Sequence, residues 1–137
     1  MIYLTRKEHF NAAHKLFNPN WSEEKNDEVF GKCANKNWHG HNYDLFVTVK
    51  GTPNPDTGFI INLKDLSVLI RKDVTDILDH KNLNMDVEEM YTMPSTENVA
   101  IFIWNKLANK ITEMGATLYC IKLYETESNY VEYYGEL

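Results

Sequence analysis

The chain has little of what several broad classes of protein are built from. Its 137 residues hold two cysteines, too few for a disulfide framework. No apolar run approaches the roughly 20 residues of a membrane-spanning helix. The N-terminal Met-Ile-Tyr-Leu-Thr-Arg-Lys has no secretory layout. Basic residues are outnumbered, 14 Lys and Arg against 20 Asp and Glu, for a formal net charge of −6. That balance argues against a nucleic-acid partner, which needs a basic face. There is no internal repeat, low-complexity tract or linker, and no glycine-rich fingerprint for a dinucleotide. What remains is the composition of a globular chain with enough hydrophobic residues for a core, 43% against 25% charged. The expectation is one domain over residues 1–137, located in the cytoplasm, with no membrane association.

Hydrophobic periodicity gives the elements. Residues 2–14 alternate, with Ile2, Leu4, Phe10, Ala12 and His14 sharing one parity, and from His41 the alternation is cleaner, through Tyr43, Leu45, Val47 and Val49. Residues 18–32 between them are polar and read as a long loop. Turn residues fill Gly51–Gly58. Asn62 is placed to cap a helix carrying Leu63, Leu66, Ile70, Val74 and Ile77 and ending near Leu78-Asp79-His80. Pro94-Ser95-Thr96-Glu97 opens a second helix with a stripe of Val99, Phe102, Ile103, Leu107 and Ile111. Residues 117–126 and 130–135 read as two strands. The order ββααββ implies an α+β fold, a four-stranded antiparallel sheet with two helices on one face. Its open sheet face and edges predict a homo-oligomer, since strand edges need cover.

Chemistry concentrates in Cys33-Ala-Asn-Lys-Asn-Trp-His39-Gly-His41. Residues two apart in a strand point the same way, so His39 and His41 present both rings on one face. His14 ends the other strand. Three imidazoles with an open fourth position is how catalytic zinc is held. Any one histidine alone is most simply a satisfied polar group; the two-apart spacing beside a cysteine is what favours metal. Cys33 is open to two roles. It is either a fourth ligand closing a structural site, or, with five residues of slack before His39, a thiol standing off the metal to act as a general base.

Asp79 beside His80 is suited to orient the imidazole, although His80 and Lys81 equally complement a helix C-terminus. His9 has the wrong parity and reads as an ordinary surface histidine. Glu125 continues the parity of Tyr119, Ile121 and Leu123, and a carboxylate at the end of an apolar face needs a donor. Adjacent N–H groups of a planar heterocycle would match it, as would a Lys or Arg, or simple exposure. Lys15, Lys32 and Lys36 flank the region and suit a phosphate group.

Taken in order, Phe10-Asn-Ala-Ala-His14, Phe30-Gly-Lys-Cys33, His39-Gly-His-Asn-Tyr43, Leu78-Asp-His-Lys-Asn-Leu83, Ser95-Thr-Glu-Asn-Val99 and Tyr124-Glu-Thr126 resemble the 6-pyruvoyl-tetrahydropterin synthases and the related bacterial 6-carboxytetrahydropterin synthases of the queuosine pathway. The gap Cys-x5-His-Gly-His looks like the pyruvoyl type. The resemblance implies a tunnelling fold assembled as a homohexamer of two trimers, and one zinc per subunit on His14, His39 and His41. It implies Cys33 as general base, Asp79 and His80 as its relay from a neighbouring subunit, Glu125 as the pterin anchor, and Ser95 and Thr96 lining the pterin pocket. The implied activity is a carbon–oxygen lyase of tetrahydrobiopterin biosynthesis, converting 7,8-dihydroneopterin triphosphate to 6-pyruvoyl-tetrahydropterin with loss of triphosphate. The competing readings are the 6-carboxytetrahydropterin synthase, which acts on the same substrate, and a zinc-stabilised pterin-binding module without turnover.

Overall fold

The alternation of Tyr43, Leu45, Val47 and Val49 becomes the centre of a five-stranded sheet in a computed structural model, which describes residues 1–91 and 93–136. Strand β1 (Ile2–His14) is followed by α1 (Glu23–Phe30), a 3-10 turn (Gly31–Ala34) and β2 (His39–Gly51). Then come α2 (Leu63–Ile70), a π-helical turn (Arg71–Thr75), α3 (Asp76–Leu78), β3 (Lys81–Asn82) and α4 (Leu83–Asp86). A second 3-10 turn (Glu88–Met90), α5 (Thr96–Glu113), β4 (Thr117–Tyr124) and β5 (Tyr130–Tyr133) complete the order.

The sheet runs β3-β1-β2-β4-β5. The long strands β1 and β2 pair antiparallel without a break from Ile2↔Gly51 to His14↔His39. All four of the alternating β2 residues are fully buried, and α5 contributes the buried stripe Val99, Phe102, Ile103, Leu107 and Ile111. Helix α2 adds Leu66 and Ile70, with Val74 and Leu78 beyond it. The core therefore lies between one sheet face and the two long helical runs. Truncating any one of these side chains, Leu45→Ala for example, costs about 2–5 kcal/mol.

Capping sets where the helices begin. The Asn62 side chain accepts the Lys64 N–H at 2.8 Å, and the Ser95 hydroxyl accepts the Asn98 N–H at 3.2 Å. Between α2 and α3 the backbone widens into the π-helical turn, and there Asp73 meets Lys110 of α5. The run 63–78 is thus one continuous helical rod of two kinds of turn, α and π, ending at Leu78 as its hydrophobic spacing requires.

The class is α+β, but three details differ from the sequence expectation. The sheet has five strands rather than four, because Lys81–Asn82 pairs parallel to β1 at Ala12 and Ala13. A two-residue strand carries no periodicity to detect. The polar stretch 18–32 is not all loop, since α1 occupies its second half. Finally, β4 carries a bulge: Thr48 pairs with Cys120 but Val49 with Leu118, so Tyr119 is skipped. Tyr119 consequently leaves the face of Ile121 and Leu123 and packs edge-on against Tyr3 and Tyr134 outside, at centroid distances of 4.7 and 5.4 Å.

Candidate metal centre and adjoining pocket

His14 and His39 form the last rung of the β1–β2 ladder, and His41 follows His39 by one strand period. The three rings converge, with centroid separations of 4.5 Å between His14 and His39, 4.9 Å between His39 and His41, and 5.1 Å between His14 and His41. One ligand atom from each lies within 4.8 Å of the others, the spread of donors around a single ion. His14 Nδ1 is 2.7 Å from the Pro94 carbonyl. Donating its N–H there fixes the tautomer and leaves Nε2 a free lone pair, the usual outer support of a ligating imidazole. His14 Nε2, His39 Nδ1 and His41 Nε2 are all buried without a hydrogen-bond partner. Orphaned acceptors of this kind cost folding energy unless something fills them. Burial above all holds His14 and His39 below the ordinary imidazole value of 6.5, the neighbouring rings adding to it. Neutral rings with inward lone pairs fit a divalent cation of the imidazole-preferring kind.

Beside the triad lies a carboxylate. Glu125 follows the last residue of β4, and its N–H donates to Asn129 O at 3.0 Å across the hairpin to β5. Its Oε1 stands 3.6 Å from His41 Nε2, and its Oε2 accepts from the Thr96 hydroxyl. Thr96, the first residue of α5, is buried. Glu125, Ser95 and Thr96 share a cavity of about 260 Å³ with Leu16, Asn129, Tyr130 and Val131. The Ser95 hydroxyl is engaged as the helix cap, so Thr96 is the residue of the pair that aims the carboxylate.

Cys33 sits in the 3-10 turn, half-buried and with a free thiol. Its carbonyl accepts the Leu16 N–H at 2.7 Å, tying the turn back to the end of β1. It is not in the group of converging metal donors, which holds the three histidines alone among the described residues. Trp38, immediately before His39, takes a left-handed φ of 71°, a conformation costing a side-chain-bearing residue about 1–2 kcal/mol. Lys15 Nζ lies 4.6 Å from its ring centre and 4.8 Å from that of Phe17, packing that offsets the strain. Lys15, Lys32 and Lys36 come together on a larger cavity of about 1000 Å³ lined also by Gly31 and Ala34 but by neither Cys33 nor the triad. The three lysines therefore line a cavity separate from the one shared by Glu125, Ser95 and Thr96, together with the acidic Glu23 and Asp27.

Asp79 and His80 lie against the outer edge of β1, bonded to Asn11. Asp79 Oδ1 accepts the Asn11 N–H at 2.9 Å, and Oδ2 lies 2.9 Å from His80 Nδ1. His80 takes a left-handed φ of 60° while its N–H donates to Asn11 O at 2.7 Å. The Asn11 hydrogen bond chiefly, with help from His80, lowers the Asp79 carboxyl below its ordinary range. Both side chains are open to solvent, so the pair is presented outward from the single chain.

Other contributors carry no pattern in the sequence. Asn26 is buried and closes the 18–26 loop on itself, while Asn84 clasps the Lys15 backbone at both its N–H and carbonyl. Pro94 supplies only a carbonyl. Asparagines that bind backbone have no periodic signature, although Ser22 ahead of Glu23 and Glu24 is a helix-start signal that marks α1.

An α+β scaffold carrying three histidines placed to hold a metal ion, beside a pocket with a carboxylate in its wall, has the layout of an enzyme site for a small molecule. Comparison with known proteins sharpens this. Residues 3–136 match the family model described as 6-pyruvoyl tetrahydropterin synthase, and the chain belongs to that family. It is 46% identical over 134 residues to the human 6-pyruvoyl tetrahydrobiopterin synthase, covering 97% of this chain and 91% of that one. Against the 6-carboxy-5,6,7,8-tetrahydropterin synthase of Bacillus subtilis the identity is 30%, covering 95% and 83%. The solved Caenorhabditis elegans 6-pyruvoyl tetrahydropterin synthase superposes with a TM-score of 0.92 at 37% identity, covering 98% and 96%. The protein is an enzyme of the lyase class. No helix among the described residues is long and apolar enough to cross a membrane.

Proposed function

We propose that this lyase holds zinc on His14, His39 and His41 and converts 7,8-dihydroneopterin triphosphate to 6-pyruvoyl-tetrahydropterin, releasing triphosphate. The observation that carries it is the convergence of three orphaned ring nitrogens beside a buried-edge carboxylate already oriented by Thr96. Glu125 matches adjacent ring N–H groups of a pterin bidentately, and Ser95 and Thr96 wall the same cavity. A bound zinc ion supplies Lewis acidity toward side-chain hydroxyls, acidifying them and the neighbouring C–H bonds.

Cys33 takes and returns the proton, held within reach by its carbonyl bond to Leu16. The ring gains two hydrogens at the expense of the side-chain carbinols, so no external reductant enters, and loss of triphosphate completes the elimination. Asp79 and His80 serve as the relay for the Cys33 of a neighbouring subunit, which accords with their outward placement. A homohexamer of two trimers is part of the same proposal. The sheet face opposite the helices exposes Tyr3, Tyr119 and Tyr134, an apolar surface that assembly would cover.

Two facts favour the pyruvoyl product over the carboxy product: the five-residue gap between Cys33 and His39, and the higher identity to relatives of the pyruvoyl type. The test is incubation of zinc-loaded protein with 7,8-dihydroneopterin triphosphate and mass-spectrometric identification of every product. Stoichiometric triphosphate with the pyruvoyl compound is expected. Acetaldehyde as the dominant by-product would assign the carboxy reaction instead, and a pterin bound but unchanged would make this a binding module.

A further inference from the structure

Four buried side-chain polar atoms among the described residues lack a hydrogen-bond partner: His14 Nε2, His39 Nδ1, His41 Nε2 and the Tyr43 hydroxyl. Three are the metal-facing nitrogens. The fourth has no such account, because a protonated phenol is a donor and not a cation ligand. Tyr43 is fully buried and stacks nearly flat on Phe10, with centroids 4.8 Å apart. Its ring lies 5.7 Å from that of His41 and 6.3 Å from that of His14. Phenylalanine would keep all of this packing and leave nothing unpaired, so the hydroxyl is unexplained by the resting fold.

The Tyr43 ring and Glu125 Oε1 both adjoin the His41 imidazole, the ring at 5.7 Å between centroids and the oxygen at 3.6 Å from Nε2. Glu125 offers the complementary gap. Its Oε2 is taken by Thr96, whereas Oε1 lies 3.6 Å from His41 Nε2, beyond hydrogen-bond reach. A carboxylate with one oxygen fixed and one loose can swing about the fixed one.

Resting on the reading of the cavity as a pterin site, we propose that Tyr43 is a positioning residue acting through Glu125: when a pterin is seated, its hydroxyl donates to the loose carboxylate oxygen. The plane of Glu125 is then fixed from two sides, by Thr96 and by Tyr43, facing the pterin N–H groups. The unpaired hydroxyl of the resting protein is satisfied only in the filled site.

Tyr43→Phe, Glu125→Gln and the double variant test this, each metal-loaded and titrated with 7,8-dihydroneopterin by fluorescence, with thermal unfolding of the ligand-free proteins alongside. Tyr43→Phe is expected to retain full metal content, to unfold at or above the wild-type midpoint, and to bind 7,8-dihydroneopterin about tenfold more weakly. In the Glu125→Gln background the same change should alter affinity less than about twofold. Unchanged affinity in Tyr43→Phe overturns the inference, as does an equal loss in both backgrounds. So does a clearly lowered unfolding midpoint, which would give the hydroxyl a partner at rest. Wild-type protein that fails to bind 7,8-dihydroneopterin overturns the substrate reading itself and removes this inference with it.

Discussion

Asn26→Ala isolates the segment that carries Cys33 from the metal site behind it. The Asn26 amide donates to Asn18 O at 3.0 Å and Ser22 O at 3.1 Å, and its oxygen accepts the Asn18 N–H at 2.6 Å. Three neutral hydrogen bonds are worth roughly 0.5–1.5 kcal/mol each. Asn18 is near solvent and recovers water, and alanine improves the helix by about 0.6 kcal/mol. A net local loss of about 1–2 kcal/mol follows. Because 1.4 kcal/mol is about a factor of ten, opening of the segment should become roughly tenfold more frequent. The Trp21–Phe30 stack, with centroids 5.9 Å apart, survives the change and keeps the opening partial. Native-state hydrogen exchange read by mass spectrometry should show the increase across residues 18–35 and none across β2. Metal stoichiometry should stay at the wild-type value, while turnover falls with the loosened Cys33. Equal acceleration in β2, or protection of 18–35 identical to wild type, refutes the reasoning, since Asn26 would then hold either the whole fold or nothing.

Three further outcomes are expected. Cys33→Ala should keep its metal and assembly while turnover falls about 100- to 10,000-fold; loss of metal on elemental analysis would make the thiol a ligand. His39→Ala should lose metal without unfolding the sheet, because the ring stands at the end of the β1–β2 ladder rather than within it, which metal analysis with far-UV circular dichroism would decide. Asp79→Ala should lower stability at pH 7 by about 1 kcal/mol or less, given its exposure. Its folded carboxyl is depressed below the ordinary 3.8, so the unfolded chain binds the proton first and the stabilisation holds above that value. It fades as pH falls through the lower folded value, and the gap between the urea midpoints of the two proteins should narrow steadily as pH is lowered below 3.8. A gap that stays constant there would trace the effect to packing.

Period-two and period-3.6 patterns made much of this molecule readable in advance. Burial on one side was written into Tyr43 through Val49 and into the α5 stripe, and the Asn62 and Ser95 caps marked helix starts where hydroxyl or amide oxygen met the orphan N–H groups. The triad was readable because His39 and His41 obey the strand period and His14 closes the partner strand. What escaped detection was governed by single backbone contacts. The β4 bulge turned Tyr119 outward, β3 exists through two residues paired to Ala12 and Ala13, and α1 is polar on nearly all sides and held by Asn26 rather than by an apolar stripe. Tyr43 was visible only as a core residue, since sequence does not say whether a buried hydroxyl finds a partner.

The place of His14 and His39 at the terminal rung of the ladder has a consequence for dynamics. Ribbon ends fray, and here the fraying end opens directly into the 24 residues between the two imidazoles. An ion gripped by both rings is a clasp on that open end, closing a loop whose freedom would otherwise pull the rung apart. On the proposed reading, the thiol borne by the loop would be anchored through the same ion that supplies the Lewis acid, so chelation should lower turnover twice over, through the lost acid and through the loosened Cys33.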